Sequence, residues 1–270
     1  MLLCSVRNCR APLVMDGRRY VCANTHAFDI ARSGYVNLLQ PQDKRSKTPG
    51  DTPEAVAARR RFLDQGHAAP LTDAIVRALP MEEEQALLDA GCGEGHHLAA
   101  FRSAYGVDAY GIDISVPAVE LAARRYRDCS WVVGNADRFL PYPDGTFRAV
   151  TSITARMNPE EFRRVLAPEG MLLVVIPGAD DLIELRQAIL GQGLERDRVE
   201  RTAATFAPLF RLERHERIAH TVLLDRQSML DVMSSSYRAL RARERAALET
   251  LEAMDVTLSR DVLVFTAAAR

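Results

Sequence analysis

The feature that most constrains the fold is a glycine-rich turn that directly follows a short apolar strand. Residues 86–90 read Ala-Leu-Leu-Asp-Ala, and the chain then passes through Gly91, Gly93 and Gly95. Glycines at such a turn let the backbone approach a bound nucleotide closely, because no side chain intervenes. The pattern predicts a strand over residues 86–90 that leads through the turn into a helix over residues 96–104.

Strand and helix patterns continue to alternate after this turn. Further strands are predicted over residues 109–112, 130–133, 149–153 and 171–176. Alternation of this kind is typical of an α/β domain with a doubly wound parallel sheet. In such a sheet the ligand binds at the carboxyl ends of the strands, so Asp113 is expected near the glycine turn.

The spacing of the glycines and the position of two carboxylates separate methyl transfer from hydride transfer. The dinucleotide fingerprint has its third glycine three residues after the second, whereas Gly95 follows Gly93 by two. Asp89 precedes the turn, where a carboxylate can pair with a cationic amine, and Asp113 is placed to accept hydrogen bonds from ribose hydroxyls. These features favour S-adenosylmethionine, with an NAD-type or non-binding Rossmann-like domain as the alternative.

Two apolar runs near the C-terminus, residues 256–258 and 262–265, predict a closing pair of strands. The class I methyltransferase fold is similar, because it ends with an antiparallel strand. We therefore expect an α/β, class I (Rossmann-like) methyltransferase fold joined to a small N-terminal zinc-binding module.

Three cysteines and one histidine near the N-terminus have the spacing of a zinc site. Four residues separate Cys4 from Cys9, twelve separate Cys9 from Cys22, and three separate Cys22 from His26. A hairpin predicted at Asp16-Gly17 would return Cys22 towards Cys9. Three thiolates and an imidazole at these intervals are typical of a closed tetrahedral site, so we predict structural Zn²⁺. Buried thiols beside a surface histidine are the alternative.

The balance of charged residues shows that the protein is not strongly basic overall, although one short segment is basic. Lys plus Arg number 35 and Asp plus Glu number 36, for a net charge of −1. The only two lysines, Lys44 and Lys47, lie beside Arg45 in a segment that is either a phosphate-binding site or a solvated loop. Residues 59–61 are arginines on a predicted helix, where at most two can face one side. A solvated face with ion pairs is the alternative there.

Five cysteines without an apolar leader at the N-terminus argue against a disulfide framework and against secretion. The sequence also lacks a run of roughly 18 apolar residues, the length that a membrane span requires. We therefore expect a cytoplasmic protein with no membrane partner.

Several short motifs follow one another in a characteristic order. Residues 26–29 read His-Ala-Phe-Asp, and residues 34–38 read Gly-Tyr-Val-Asn-Leu. Residues 44–51 read Lys-Arg-Ser-Lys-Thr-Pro-Gly-Asp, and residues 58–67 read Ala-Arg-Arg-Arg-Phe-Leu-Asp-Gln-Gly-His. With the cysteines before them and Asp-Ala-Gly-Cys-Gly-Glu-Gly at 89–95, these motifs resemble the large-subunit (23S) ribosomal RNA (guanine-N1)-methyltransferases. The resemblance covers essentially the whole chain.

The resemblance implies methyl transfer from S-adenosylmethionine to N1 of a guanine in a hairpin loop of large-subunit ribosomal RNA. It also implies a homodimer whose zinc modules line the RNA-binding cleft. Lys44, Arg45 and Lys47 are then expected to contact RNA phosphates.

Three segments are expected on this basis. Residues 1–38 would form a zinc-binding RNA-recognition module, and residues 39–85 a basic linker with a helical part. Residues 86–270 would form the methyltransferase domain.

Similar methyltransferases contact the adenine of the cofactor with residues after the third strand, here Asn135 and Ala136. The expected cofactor-binding residues are Asp89, Gly91, Gly93, Glu94, Gly95, Asp113, Asn135 and Ala136. Removal of the guanine N1 proton calls for a general base, for which Asp137 and His67 are candidates. The structural alternatives are a helix N-cap for Asp137 and a packed or capping role for His67.

Three segments depart from the family pattern. Residues 154–156 read Thr-Ala-Arg where the family has an aromatic-Ala-Pro sequence, and Ala68 replaces an aromatic residue that looks cofactor-facing. Residues 234–237 replace a small polar-Pro motif. Two further functions therefore stay open. One is a methyltransferase of the same ancestry that acts on another RNA or a small molecule, and the other is an RNA-binding module with an idle cofactor pocket.

Overall fold

The structure, a computed structural model, describes residues 1–43, 46, 48–191, 193, 195–236 and 241–268. The N-terminal part forms a small antiparallel sheet. Its strands are β1 (Leu2–Leu3), β2 (Pro12–Asp16), β3 (Arg19–Cys22) and β4 (Ala27–Asp29), paired in that order. The predicted hairpin is confirmed, because β2 and β3 are joined at Gly17, whose φ is +62°.

A large mixed sheet forms the body of the protein. Its strands are β5 (Val36–Asn37), β6 (Ala86–Ala90), β7 (Asp108–Asp113), β8 (Ser130–Val133), β9 (Phe147–Ile153), β10 (Leu166–Pro177), β11 (Phe210–Asp225) and β12 (Ala253–Ala267). They pair in the order β11-β12-β10-β9-β6-β7-β8-β5. β12 runs antiparallel to both neighbours, whereas the pairs from β10 to β5 are parallel. The predicted α/β class is confirmed.

Helices cover the large sheet. They are α1 (Pro53–Asp64), α2 (Ala69–Ala78), α3 (His96–Tyr105), α4 (Val116–Arg125), α5 (Pro159–Val165), α6 (Ile183–Leu190), α7 (Val199–Phe206), α8 (Arg226–Ser236) and α9 (Ala242–Glu249). α1 is capped by Thr52, whose Oγ1 accepts a hydrogen bond from the Ala55 N–H at 3.3 Å. Among the described helices, none has the length and hydropathy needed to cross a membrane.

The closing pair of strands predicted near the C-terminus is wrong. Residues 256–258 and 262–265 both belong to β12, because Ser259, Arg260 and Asp261 continue the ladder instead of turning. These three residues include no glycine or proline, and Ser259 and Asp261 are fully buried. The partner of β12 is β11, an edge strand whose exposed, charge-rich sequence lacks the apolar alternation that predicts strands.

Two glycines allow α3 and β7 to pack closely around Trp131. A Cβ atom on Gly95 would lie 2.4 Å from the Trp131 ring, and so would one on Gly111. Trp131 is buried, and its indole N–H donates to the Tyr126 carbonyl at 2.8 Å. The indole therefore fixes how closely the glycine turn approaches the neighbouring strands.

The small sheet is attached to the large one by specific contacts. The Leu3 N–H donates to the Pro141 carbonyl at 2.9 Å, and the guanidinium of Arg10 lies 4.8 Å from the centre of the Phe139 ring. β5 follows the small sheet in the chain but pairs with β8 of the large sheet. Residues 36–37 thus belong by hydrogen bonding to the large sheet.

Candidate functional site

The four predicted zinc ligands lie together. Their ligand atoms are all within 4.8 Å of one another. The Nδ1 atom of His26 lies 3.5 Å from Cys4 Sγ and 3.4 Å from Cys22 Sγ, and Cys9 Sγ lies 3.8 Å from Cys22 Sγ. Tetrahedral zinc with bonds of about 2.3 Å to sulfur and about 2.0 Å to nitrogen requires separations of roughly 3.5–3.8 Å. The donor set and its spacing fit a closed, structural zinc ion.

Short turns bring the four ligands together. Cys22 ends β3, and its N–H donates to the His26 carbonyl at 3.0 Å across a turn in which Thr25 has φ +64°. The Asn24 side-chain amide donates to Cys9 Sγ at 3.1 Å. Such a bond stabilises thiolate charge and orients the ligand. No spacing rule in the sequence identifies Asn24.

The glycine turn adopts a backbone conformation that few other residues tolerate. Gly91, Gly93 and Gly95 have φ values of +89°, +54° and +84°. A Cβ atom on Gly91 would lie 2.3 Å from the Ala155 Cβ, so the turn also needs glycine for space. The Gly91 N–H donates to the Ile112 carbonyl at 2.8 Å, which joins the turn to the end of β7.

Two carboxylates flank this turn at the carboxyl ends of neighbouring strands. Asp113 accepts hydrogen bonds from the Gly93 N–H at 2.9 Å and from the Ser115 N–H at 2.8 Å. Asp89 is 2% exposed and accepts a hydrogen bond from the Thr151 hydroxyl at 2.8 Å. Both carboxylates are therefore oriented by the protein before any ligand binds.

Burial raises the pKa values of the carboxyl groups around the turn. It raises the pKa of Asp89 to about 7, although the Thr151 hydroxyl partly offsets the effect. Burial also raises the pKa values of Glu94 and Asp113 above their ordinary range. Buried carboxylates with perturbed pKa values at strand ends are typical of functional sites. They would fit the ammonium and sulfonium charges of S-adenosylmethionine.

A cleft of about 1190 Å³ opens above the glycine turn. Asp89, Gly91 and Glu94 line its floor. α1 and α8 form a wall, and they are joined by Arg61, whose Nε and Nη2 atoms donate to Asp231 at 3.0 and 2.6 Å. The last ninety residues, which carry no recognisable motif, thus supply part of the cleft.

Three further predicted cofactor residues lie at or just after the ends of β7 and β8, outside the described lining of the cleft: Asp113, Asn135 and Ala136. The segment before α1 covers them. The Asn135 amide donates to the Asp43 carbonyl at 3.0 Å, and the Ser115 hydroxyl donates to the Asp51 carbonyl at 2.8 Å. Ala136 lies beside Asn135 in the turn after β8.

The two candidate bases contact other side chains. His67 Nε2 lies 2.8 Å from the Gln65 side-chain oxygen, and its ring packs against Phe62 at 4.8 Å between centroids. Asp137 lies in a turn rather than at a helix start, and it pairs with Arg156 at 3.5 Å. Neither is among the described residues that line the cleft. Their surroundings favour structural roles.

The altered segment 154–156 borders the cleft directly. Thr154 lines the cleft and has φ +51°, and Ala155 packs against Gly91. Arg156 is 67% exposed at its side chain. Lys44, Arg45 and Lys47, the predicted phosphate-binding residues, lie outside the described residues.

Two family models match the chain, one over the zinc ligands and the other over the glycine turn. Residues 3–47 match the family model "RlmA, N-terminal", and residues 87–170 match the model "Methyltransferase domain". The "23S rRNA (guanine(748)-N(1))-methyltransferase" of Streptomyces fradiae is 41% identical over 229 residues, which are 82% of this chain and 80% of that protein. The chain belongs to the 23S rRNA (guanine-N1)-methyltransferase family.

A second relative agrees with this family assignment. The protein YxjB of Bacillus subtilis (strain 168) is 33% identical over 269 residues, 92% of this chain and 91% of its own. Two solved structures share the fold alone. The YcgJ protein of Bacillus subtilis has a TM-score of 0.52 at 18% identity, covering 76% of this chain and 100% of its own. The [4+2]-cyclase SpnF has a TM-score of 0.53 at 20% identity, covering 76% and 84%.

Membership of the family confirms the predicted enzyme class and cofactors. The protein is an S-adenosylmethionine-dependent methyltransferase with an N-terminal zinc ribbon. The observed cysteine and histidine cluster fits the structural zinc, and the glycine turn with its flanking acids fits the methyl donor.

Replacing Cys22 with alanine should abolish zinc binding, because it removes one of four ligands from a closed site. We expect about one zinc ion per chain in the parent and almost none in Cys22→Ala, measured by mass spectrometry of the purified proteins. Cys129→Ala is the matched control, since this half-buried thiol lies outside the cluster and should leave the zinc content unchanged. Full zinc content in Cys22→Ala would rule out the site.

Affinity for S-adenosylmethionine should fall as the pH drops below about 7. The raised pKa of Asp89 means that its carboxyl is protonated in the free protein at low pH, and pairing with the ammonium requires its ionised form. We expect Kd to rise towards about tenfold per pH unit below 7. Calorimetry between pH 5.5 and 7 keeps the ligand's own amine, whose pKa is roughly 7.7–8.0, almost fully protonated.

The variant Asp89→Asn isolates this effect, because it cannot titrate. It should bind more weakly at pH 7, with a smaller pH dependence below 7. An unchanged Kd for the parent protein across that range would show that Asp89 is already ionised or does not meet the ligand.

Proposed function

We propose that this enzyme methylates N1 of a guanine in a hairpin loop of 23S ribosomal RNA. The observation that carries the proposal is the 41% identity to the Streptomyces fradiae enzyme, named for methylation at guanine 748. That identity extends over 82% of this chain. Such coverage is too large for the methyltransferase domain match alone, which ends at residue 170.

The described residues act chiefly by positioning. S-adenosylmethionine, when bound, supplies an electrophilic methyl group. Asp89 is placed to hold the ammonium, and Asp113 the ribose hydroxyls. Alignment of donor and acceptor in a closed cleft accounts for much of the acceleration in such transfers. Asp137 and His67 stay hypotheses as bases for the guanine N1 proton.

The cleft also has room for the acceptor. A second cavity of about 320 Å³ adjoins the main cleft, and the two share Thr154, Pro177 and Arg198 in their linings. Met157 and Val175 give the smaller cavity an apolar surface. A loop nucleotide that is unstacked from its neighbours needs such a surface together with polar groups at the rim.

The three-part organisation fits this function. The zinc ribbon and the Lys44-Arg45-Lys47 segment precede α1, which forms one wall of the cleft. We therefore assign RNA recognition to residues 1–38 and 39–85, and methyl transfer to residues 86–270. The family resemblance supports a homodimer in the cytoplasm, and both are part of this proposal.

An altered substrate is the second candidate function, and the observation that favours it is the segment 154–156. Thr154 lies in the lining of both cavities, so the departure from the aromatic-Ala-Pro pattern meets the acceptor side of the cleft. An idle cofactor pocket is disfavoured, because the buried Asp89 and the half-buried, hydrogen-bonded Asp113 would only destabilise an unused site.

Incubation with labelled S-adenosylmethionine and unmodified 23S ribosomal RNA should yield 1-methylguanosine, identified by mass spectrometry of the digested RNA. RNA in which the target guanine is replaced by adenine is the control and should not be labelled. Incorporation at another base or position would favour the altered-substrate function. Demonstrated cofactor binding without any incorporation would overturn the proposal for this RNA.

Replacing Lys44, Arg45 and Lys47 together with alanine should weaken RNA binding and flatten its salt dependence. Each phosphate contact contributes roughly 0.7–0.9 to the slope of log K against log salt, so the slope should decrease by about two to three. Filter binding across a salt series measures it. Arg124→Ala, which removes an exposed charge on α4, is the control, and an equal slope in parent and triple variant would remove the phosphate role.

A further inference from the structure

The three consecutive arginines of α1 have different surroundings. Arg60 is buried, pairs with Asp64 and donates to the Tyr126 hydroxyl at 3.1 Å. Arg61 points to α8 and pairs with Asp231. These two guanidinium groups hold the wall of the cleft together. Arg59 alone of the three is directed at the glycine turn.

The position of Arg59 is fixed from two sides. Its Nη2 atom lies 3.1 Å from an Asp51 carboxylate oxygen and donates to the Ser235 carbonyl at 3.2 Å. Its Nη1 atom lies only 3.2 Å from the point where a Cβ on Gly93 would be. Within the described part of the chain, Nη1 has no hydrogen-bond acceptor. The N–H groups of Nη1 thus lie over the turn, while Nη2 fixes the guanidinium through Asp51 and Ser235.

The charges around the turn call for a cation at this point. Asp89, Glu94 and Asp113 are all carboxylates, yet the methionine end of S-adenosylmethionine carries its own carboxylate one carbon from the ammonium. If Asp89 pairs with the ammonium, the carboxylate lies close to these acids and is repelled by them. A guanidinium N–H donor directed at this carboxylate would offset this repulsion.

The other basic groups near the turn do not meet this requirement. Burial lowers the pKa of His97 to about 3, so its imidazole is neutral. Arg60 and Arg61 are engaged elsewhere, as shown above. Arg260 also lines the cleft, but it pairs with Asp181 and donates to the Ser259 carbonyl at 2.7 Å.

We propose that Arg59 binds the carboxylate of S-adenosylmethionine through Nη1, and so positions the methionine end of the donor over the glycine turn. The proposal rests on the methyl donor of the proposed function but on no particular RNA. Arg59 thereby connects three parts of the cleft, since the same side chain contacts Asp51 before α1 and Ser235 in α8.

A pair of ligands that differ only in this carboxylate tests the assignment. Calorimetry without RNA would compare S-adenosylmethionine with decarboxylated S-adenosylmethionine, for the parent and for Arg59→Gln. We expect Arg59→Gln to weaken binding of the intact ligand at least tenfold and of the decarboxylated ligand less than threefold. This selective loss cannot arise from a general distortion of the cleft, which would weaken both.

Two further variants serve as controls for this comparison. Arg61→Gln removes a neighbouring guanidinium that also lines the cleft, and it should change the affinities for the two ligands by the same factor. Arg59→Lys, which keeps the charge without the planar fork, should retain an intermediate preference for the carboxylate and serves where Arg59→Gln does not fold. Equal weakening of both ligands by Arg59→Gln, or no weakening of either, overturns the proposal. Because RNA is absent, failure here is separate from failure to methylate 23S ribosomal RNA.

Discussion

The close packing of the glycine turn between Ala155 and Trp131 is the constraint on which the rest of the site depends. A Cβ on Gly91 would overlap Ala155, and one on Gly95 would overlap the indole. The turn is therefore held on one side by the end of β9 and on the other by β8. Asp113 can accept the Gly93 N–H only because the turn is held at this depth. The fold, rather than a ligand, sets the geometry.

This packing carries an electrostatic cost. It places Asp89, Glu94 and Asp113 in one poorly hydrated region, where burial raises the pKa of each. Hydrogen bonds from Thr151 and from backbone N–H groups offset only part of that cost. A protein gains nothing from such a cluster unless a cation binds there. The same acids that weaken the free protein favour a ligand with two positive charges.

Short sequence motifs predicted the features whose residues lie close together along the chain. The glycine turn and the hairpin at Asp16-Gly17 are each specified by neighbours within a few residues, and the four zinc ligands lie within one stretch of 23 residues. The wall of the cleft is different, because its bonds join residues 170 or more apart: Arg61 with Asp231, and Arg59 with the Ser235 carbonyl. No periodicity in α1 or α8 reveals such pairs. β11 was missed for another reason, since a charged edge strand resembles a solvated segment.

The position of segment 154–156 shows which part of the cleft is affected by its difference from the aromatic-Ala-Pro pattern of the family. Ala155, the residue that Gly91 requires as a neighbour, matches the family pattern, whereas the residues on either side of it differ. The contact between Gly91 and Ala155 is therefore kept, and the change falls on the two residues beside Ala155. Arg156 adds an exposed cation at the edge of the site, next to Asp137. A cation in that position suits a phosphate-bearing acceptor better than an uncharged small molecule, so within the altered-substrate function the segment favours another RNA.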